Sequence, residues 1–407
     1  MKTYLVGGAV RDELLGIASI ERDWVVVGST QQEMIALGYK QVGKDFPVFL
    51  HPESKEEYAL ARTERKSGLG YTGFEIDASP NVSLEEDLMR RDLTINAIAK
   101  DEKGRIYDPY GGLFDIRNKY LRHVSDSFRE DPLRLLRVGR FAAKLKHKGF
   151  SIHPETLELM RSLSTFEEIN ALVSERVWTE LVKVFKTDFP SEFFNVLHKC
   201  GALKYLFPEV DKLFGVPQPK KYHPEVDTGV HTMMVIDQSV KLSSCVDVHF
   251  AALCHDLGKA ETPKDILPKH HGHEKKSVPL VKIISHRLKV PNSSKELAIQ
   301  VAKYHTLVHK VFELTAKKIL KLCLNVNAFR RPDRFELFLL ACKADSLGRL
   351  GYEKSEYPQR HFLLKIVESC AKVDASQFVL KGLKGKEIAD AINEERLKII
   401  KHLMISV

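Results

Sequence analysis

Short apolar runs separated by glycine and charged residues fill the first hundred or so positions. Several of these runs are rich in β-branched and aromatic residues and end at turn-forming residues, a pattern that predicts strands. On this basis we predict strands at residues 3–6, 23–27, 47–50 and 57–62. The stretch 66–75, KSGLGYTGFE, is rich in glycine and basic residues, which predicts a loop.

From about residue 120 onward, apolar positions recur with the spacing of amphipathic helices and strand signals become rare. This change predicts an α/β head followed by a long helical body. Three prolines within residues 217–224 indicate a linker or an extended crossing, and a histidine-rich helical region follows. We therefore expect a head at 1–120, a helical neck and body at 121–215, a histidine-rich domain at 225–350 and a helical tail at 351–407.

Composition narrows the class of protein only slightly. A formal net charge of +9 favours a polyanionic partner without requiring one. The six cysteines are scattered and form no CxxC pair, which is typical of reduced, buried thiols in a cytoplasmic protein. Neither a signal-peptide pattern nor an apolar run of about 18 residues is evident, so we expect no transmembrane helix.

A pair of carboxylates, Glu21 and Asp23, stands at the start of the predicted strand 23–27. Residues two apart in a strand share one face, so these acids would repel each other unless a cation lay between them, and their hard oxygens suit Mg²⁺. The preceding Gly7-Gly8 turn would let backbone N–H groups approach a phosphate. Taken alone, the pair would be interpreted as two solvated surface acids, but the preceding Gly7-Gly8-x-x-Arg11-Asp12 argues against that interpretation. Glu57 is a third carboxylate in this picture if its strand lies beside the first, and otherwise an edge-strand residue.

Two arginine-rich segments follow. Arg91, within Arg90-Arg91-Asp92, belongs either to an ion-paired helix face or to a triphosphate site, for which the planar guanidinium is well suited. Asp131, Arg134 and Arg137 are spaced three apart, which places them along one side of a helix. An ion-paired helix explains this spacing, and so does a row of groups that reads the Watson–Crick edge of a base.

Four motifs in order closely resemble the bacterial CCA-adding enzymes, class II tRNA nucleotidyltransferases of the DNA polymerase beta superfamily. They are GGAVRD, ERD before an apolar strand, RRDLTINAIA and EDPLRLLRVGRF, all within residues 1–145. The resemblance implies an α+β fold: a small mixed-sheet nucleotidyltransferase head and a long, mostly α-helical body. It also implies the following roles: Glu21 and Asp23 as Mg²⁺ ligands, Gly8 and Arg11 as triphosphate contacts, Arg91, Arg137 and Arg140 as nucleotide contacts, and Asp131 with Arg134 as the pair that hydrogen-bonds the incoming base.

By this resemblance the chain adds C, C and A to the 3′ end of tRNA from CTP and ATP without a nucleic-acid template. Cytosine and adenine both carry an exocyclic amine beside a ring-nitrogen acceptor, so one carboxylate and one arginine would suit both bases. The tRNA 3′-hydroxyl would attack in line and pyrophosphate would leave. We expect tRNA, CTP and ATP as partners, with neither DNA nor a membrane involved, in a cytoplasmic monomer or weak homodimer.

The histidine-rich region resembles the HD superfamily of metal-dependent phosphohydrolases, through His231, the pair His255-Asp256 and the distant Asp345. The resemblance implies that these four residues bind a divalent transition metal, Ni²⁺ being one candidate, within an all-α HD domain. It gives His273 and His305 a place at a second metal or at the phosphate. The activities implied are those of a phosphatase, a 2′,3′-cyclic phosphodiesterase and a 2′-nucleotidase; a degenerate HD fold used for packing or RNA contact is the alternative.

Two other functions remain open at this point. A bacterial poly(A) polymerase would share the head and neck motifs, although the HD region and the mixed charge of the tail argue against it. A non-catalytic tRNA-binding protein would share the fold, although the intact carboxylates, arginines and HD ligands argue against that interpretation.

Overall fold

The computed structural model describes residues 1–18, 22–42, 48–66 and 74–405. The strands in these ranges are β1 (Lys2–Val6), β2 (Asp23–Val27), β3 (Lys40–Val42), β4 (Val48–Leu50), β5 (Glu57–Leu60), β6 (Thr63–Lys66), β7 (Phe74–Asp77), β8 (Ala99–Asp101), β9 (Ile106–Tyr107), β10 (Tyr120–Leu121) and β11 (Ser151–Ile152). The helices up to residue 206 are α1 (Gly8–Leu14), α2 (Gln31–Ala36), α3 (Leu84–Met89), α4 (Gly112–Asn118), α5 (Leu133–Leu145), α6 (Pro154–Leu163), α7 (Phe166–Asn170), α8 (Ser174–Val184), α9 (Pro190–Cys200) and α10 (Leu203–Leu206). Those that follow are α11 (Pro208–Asp211), α12 (Thr228–Leu242), α13 (Val246–Cys254), α14 (His273–Arg287), α15 (Asn292–His309), α16 (Ala316–Asn325), α17 (Pro332–Leu347), α18 (Pro358–Ala371), α19 (Ser376–Val379) and α20 (Lys386–Ile405).

The chain forms two compact units. The first comprises Met1–Val184 with Glu192–Leu206, and the second comprises Phe185–Ser191 with Phe207–Val407. The first unit contains the sheet and the second is helical, so the predicted α+β class with a sheet-bearing head and a helical body is confirmed.

The main sheet of the first unit is mixed. Its strand order is β3-β4-β5-β2-β1-β8-β9, with β2 and β5 parallel and the other neighbours antiparallel. Successive residues of β2 point to opposite faces, and each face is buried against a different cluster. Val25 packs with Tyr4 and Val6 on one face, while Val26 packs with Phe49 on the other. Burial on both faces explains why this strand is a continuous apolar run.

The strand predictions for 3–6, 23–27 and 57–62 are confirmed to within two residues at each end. The prediction for 47–50 agrees with β4, although residue 47 lies outside the described residues. The prediction of a loop at 66–75 is wrong at both ends of that range. Lys66 ends β6 and Phe74 begins β7, and these two residues lie opposite each other in an antiparallel pair. Local glycine content did not show that the flanking residues pair with each other.

The second unit packs helices around α13, which is buried along nearly its whole length. Val235, Ala252 and Ala344 join α12, α13 and α17 in one apolar cluster. The proline-rich segment is packed onto this unit rather than free, because Gln218 Oε1 accepts from Lys259 Nζ at 2.8 Å and Pro217 O lies 3.0 Å from His270 Nε2. The six cysteines, all in described residues, are free thiols. Among the described helices, none combines the length and apolar character that a membrane crossing requires.

Candidate active sites

The glycine turn of the first unit begins where β1 ends. Gly7 has a φ of +67° and precedes α1, and its N–H donates to Ile98 O at 3.3 Å. A Cβ atom at Gly7 would lie 2.9 Å from Nη1 of Arg91. Glycine is favoured by the positive φ, and its missing side chain leaves room for that guanidinium. Arg91 also donates from Nη2 to Asp87 Oδ2 at 3.0 Å.

An acidic edge adjoins this turn. Asp23 lies opposite Val6 on one side and opposite Glu57 on the other, and both carboxylates are exposed. Register partners on neighbouring strands project from the same face of a sheet, so Asp23 and Glu57 share a face. This meets the condition under which Glu57 is a third carboxylate. Glu21 lies outside the described residues.

Arg11 links α1 to the rest of the site. It is 3% exposed, donates from Nε to Asp12 Oδ1 at 2.8 Å and donates from Nη1 to the side chain of Asn96. Asp12 in turn accepts from Lys144 Nζ at 2.9 Å. The Cβ position of Gly8 lies 3.6 Å from Arg11 Nη2. The first motif is thus tied to the third and to α5 by hydrogen bonds across more than eighty residues.

Asp92 connects the third motif, RRDLTINAIA, to the fourth, EDPLRLLRVGRF, through a hydrogen bond with Arg137. It is 6% exposed and accepts from Arg137 Nε at 2.7 Å, from Asn96 Nδ2 at 2.9 Å and from the Leu93 N–H at 2.9 Å. Burial alone would raise the pKa of Asp92, but the Arg137 guanidinium and the hydrogen bonds hold that pKa well below its usual value. Asp92 therefore stays ionised and fixes Arg137.

Three guanidinium groups converge on the ring of Phe141. The Cζ atoms of Arg140, Arg11 and Arg137 lie 4.4, 4.9 and 5.8 Å from its centroid. Arg140 donates from Nε to Glu180 Oε2 at 2.7 Å, so each of the three has a carboxylate partner. A cluster of fixed planar cations is suited to polyphosphate recognition.

Asp131 and Arg134 do not share a helix face, contrary to the expectation from spacing. Pro132 intervenes and α5 begins only at Leu133, so Asp131 has an extended backbone. Its carboxylate accepts from the Leu133 N–H at 3.0 Å and from Arg176 Nη2 at 2.9 Å. Arg134 is buried and donates to two backbone carbonyls, Ser127 O at 2.7 Å and Arg90 O at 2.6 Å. The prediction from the three-residue spacing assumed that the helix already included Asp131, whereas it begins only after Pro132.

In the second unit the four HD residues come together. His231 Nε2 lies 3.1 Å from Asp345 Oδ1, and His255 Nε2 lies 3.1 Å from Asp256 Oδ2 and 3.6 Å from Asp345 Oδ1. All four are at most 6% exposed. They come from α12, the end of α13 and α17, which explains why they are far apart in the sequence.

His273 and His305 form a second group around the same Asp256. Their Nε2 atoms lie 3.0 and 3.5 Å from Asp256 Oδ1 and 3.4 Å from each other. Gly258 allows this approach, since a Cβ atom there would lie 2.2 Å from His273 O. The turn after Asp256 therefore packs directly against the start of α14.

The rings are held in one orientation. In each case Nδ1 lies within hydrogen-bonding distance of a backbone carbonyl, and the pairs are His231 with Gly348 at 3.1 Å, His255 with Ala252 at 2.7 Å, His273 with His270 at 2.8 Å and His305 with Val301 at 2.9 Å. An Nδ1–H that donates outward leaves Nε2 directed at the carboxylates, the arrangement seen in metal-binding histidines.

These residues fit a divalent metal. His255 Nε2 and Asp256 Oδ1 are buried without a hydrogen-bonding partner of good geometry among the described residues. Burial would raise the pKa of Asp256 and of Asp345, but the neighbouring His255 holds both pKa values well below the ordinary value. Burial would lower the pKa of His231, but its carboxylate neighbours raise it to about 8. Imidazole nitrogens together with ionised carboxylates suit divalent transition metals.

Two neighbours of these ligands were not predicted from the sequence. His309 Nε2 lies 2.7 Å from Asp345 Oδ2, and its Nδ1 lies 2.8 Å from the hydroxyl of Tyr357. Lys259 Nζ lies 2.6 Å from Asp256 Oδ2. Helical spacing was the available signal for His309, because it follows His305 by four residues on α15 and shares its face.

Three family models match the chain. They are the poly A polymerase head domain at residues 3–122, the probable RNA and SrmB-binding site of polymerase A at 149–214, and the HD domain at 228–336. The fold and sites thus define a polymerase-type nucleotidyltransferase joined to an HD domain. Asp345 lies beyond the matched HD range.

Curated relatives identify the family. The multifunctional CCA proteins of Thioalkalivibrio sulfidiphilus and Teredinibacter turnerae are each 55% identical over 403 residues, which cover 99% of this chain and 98% of theirs. The chain belongs to the multifunctional CCA protein family.

Solved structures agree on the fold. The CCA-adding enzyme of Bacillus stearothermophilus in complex with CTP is 21% identical, with a TM-score of 0.65 over 98% of this chain and 89% of that one. The Thermotoga maritima enzyme complexed with tRNA is 19% identical, with a TM-score of 0.63 over 100% and 91%.

Proposed function

We propose that the chain builds and repairs the 3′-terminal CCA of tRNA from CTP and ATP without a nucleic-acid template. The observation that carries this proposal is the convergence of three distant motifs on one site, where Asp12, Asp92 and Glu180 hold Arg11, Arg137 and Arg140 around Phe141. Relatives named multifunctional CCA protein at 55% identity support the choice of substrate. The basic charge and free thiols fit a tRNA partner and a cytoplasmic location.

In this proposal Asp23, Glu21 and Glu57 hold Mg²⁺, which supplies neutralisation of the charge that develops on the phosphates. Arg11 and Arg91 bind the triphosphate beside the Gly7-Gly8 turn, where Gly8 leaves room for close approach. Because these guanidinium groups are already fixed by carboxylates, little ordering is needed when the nucleotide binds.

Arg137 and Arg140 contact the nucleotide in the same scheme, while Asp131 and Arg134 read the base. For that reading, Asp131 exchanges Arg176 for the exocyclic amine, and Arg134 exchanges a backbone carbonyl for the ring nitrogen.

The test is nucleotide incorporation into tRNA that lacks CCA, with CTP and ATP supplied separately and together. We expect three added residues when both are present. A long tail from ATP alone would replace this proposal with poly(A) synthesis. Asp23→Ala should abolish incorporation, while Glu53→Ala, which alters an exposed acid just before β5, the strand that pairs with β2, should retain it.

The second proposed activity is phosphohydrolysis at the HD site, acting as a phosphatase, a 2′,3′-cyclic phosphodiesterase and a 2′-nucleotidase. His231, His255, Asp256 and Asp345 would hold a divalent transition metal such as Ni²⁺, which supplies a water activated for attack on phosphate. His273 and His305 would bind a second ion or the phosphate, and Lys259 provides a fixed positive charge beside Asp256.

The two activities should separate by mutation. His255→Ala should lose phosphohydrolysis and keep CCA addition, because it lies in the second unit. His286→Ala, an exposed histidine on the same α14 helix as His273, is the matched control and should keep both activities. Loss of both activities in folded His255→Ala protein would refute two separate sites.

A further inference from the structure

A polar side chain of the folded segment 217–227 reaches the HD site from outside its ligands. The side chain of Glu225 is 2% exposed. Its Oε1 lies 3.0 Å from Nδ1 of His231 and 3.0 Å from Nδ1 of His223, and its Oε2 accepts from the Leu350 N–H at 3.3 Å. The buried Glu225 carboxylate thus has several partners. One of them is His231, a proposed metal ligand, which it contacts at the ring nitrogen that faces away from the metal.

We infer that Glu225 is a positioning residue of the HD site, which accepts a hydrogen bond from His231 Nδ1 and so directs His231 Nε2 toward Asp345. The inference rests on the proposed phosphohydrolase function. A carboxylate behind a ligating histidine fixes the tautomer and makes the imidazole a stronger donor to a metal. Gly348 O lies 3.1 Å from the same Nδ1 and offers only a neutral acceptor, so the carboxylate adds charge to an orientation that the carbonyl already favours.

The backbone next to Glu225 supports this role. Val226 has a φ of +62°, a conformation that a β-branched residue rarely adopts. Two backbone hydrogen bonds hold it there, from the Gln218 N–H to Val226 O at 2.7 Å and from the Val226 N–H to His223 O at 2.9 Å. Residues kept in such conformations cluster at functional sites, where the surrounding structure maintains the strain.

The same segment touches the site at a second point. The side chain of Gln218, 1% exposed, accepts from Lys259 Nζ at 2.8 Å, and Lys259 in turn contacts Asp256. The segment therefore supports both halves of the ligand cluster, through His231 on one side and through Lys259 on the other.

An alternative use of the same atoms is a separate metal site, because donor atoms of His223, Glu225 and His231 lie within 4.8 Å of one another. His231 would then have to bind metal through both nitrogens, and its Nδ1 would lose the hydrogen bond to Gly348 O. The geometry favours positioning, and a separate site would show as an additional bound ion that is lost with Glu225.

The test is titration of metal-free, full-length protein with Co²⁺, followed by the visible absorption of the bound ion. We expect Glu225→Ala to raise the Kd by about 10- to 100-fold and to alter the absorption band. Glu225→Gln, which keeps an acceptor without the charge, should fall between the wild type and Glu225→Ala.

Asp237→Asn is the matched structural control. Asp237 lies on α12 with His231, and its carboxylate accepts from the Ser191 N–H at 3.0 Å and from Ser191 Oγ at 2.7 Å. This variant should lose stability yet bind Co²⁺ as the wild type does. Should Glu225→Ala not fold, Glu225→Gln alone decides, since its side chain has nearly the same volume.

The outcomes separate the inference from the function on which it rests. If His255→Ala abolishes Co²⁺ binding while both Glu225 variants keep the wild-type Kd and spectrum, the positioning role is refuted and the metal site stands. If the wild type binds no Co²⁺, or His255→Ala binds it unchanged, the proposed metal site itself fails. Loss of one of two bound ions in Glu225→Ala would replace positioning with direct ligation.

Discussion

Asp92→Asn should destabilise the first unit without removing any side-chain volume. In the wild type, Asp92 is buried and accepts hydrogen bonds from Arg137, Asn96 and the Leu93 N–H. Asparagine keeps an oxygen for one of these donors but leaves Arg137 facing a neutral group. The substitution therefore tests the tie between the third motif and the arginine helix α5.

A hydrogen bond to a charged group contributes about 1.5–3 kcal/mol to the free energy of unfolding. The side chain of Arg137 is 35% exposed, so water replaces part of the lost interaction. We therefore expect a loss of about 2 kcal/mol, at the lower end of that range.

The chain offers a convenient probe, because its two tryptophans, Trp24 and Trp178, both lie in the first unit. Urea unfolding followed by tryptophan fluorescence thus reports the unfolding of the first unit, because the second unit contains no tryptophan. Glu158→Gln is the control: it breaks the exposed ion pair with Arg161 at 3.2 Å and should change stability by less than about 0.5 kcal/mol.

The effect should depend on pH with a definite sign. The pKa of folded Asp92 lies well below its unfolded value, so the carboxylate contributes stability above about pH 3.9, and this contribution is lost as the pH falls toward the folded pKa. The difference between wild type and Asp92→Asn should be constant from neutral pH to about 5 and shrink below about 4. A variant as stable as Glu158→Gln at pH 7 would refute the proposed tie.

Three further predictions concern separate features. Gly7→Ala should lower the stability of the first unit by about 1–2 kcal/mol and also reduce incorporation, whereas Gly28→Ala, at φ +72° with no described atom within 4 Å of a Cβ there, should lower stability alone. Glu57→Gln should reduce incorporation by about tenfold or more and raise the Mg²⁺ concentration required; normal Mg²⁺ dependence would exclude it as a ligand. Burial lowers the pKa of His249 to about 4, so wild-type protein should lose stability relative to His249→Met as the pH falls from about 6.5 toward 4, measured by circular dichroism, and a constant difference would contradict this.

The sequence by itself determined the elements whose signals are local. In β2 (Asp23–Val27), an apolar and mostly β-branched run follows the exposed Asp23, and the bounds of the strand follow directly from these residue types. The histidines and carboxylates of the HD region were identified in a different way, through the resemblance of their order along the chain to a known family. Both signals lie in the order of residue types along the chain and need no contact between distant residues.

Tertiary structure decided which groups meet. The parallel pairing of β2 with β5 places Glu57 beside Asp23, and nothing local predicts that register. Asp92 became a buried partner of Arg137 only because the bend after α3 packs against α5. Pro132 placed Asp131 outside the helix that the spacing had implied. Glu225 lies behind His231 because the 217–227 segment folds back onto the second unit. Hydrogen bonds and ion pairs act over a few ångström, so contacts between distant residues exist only once packing has placed them.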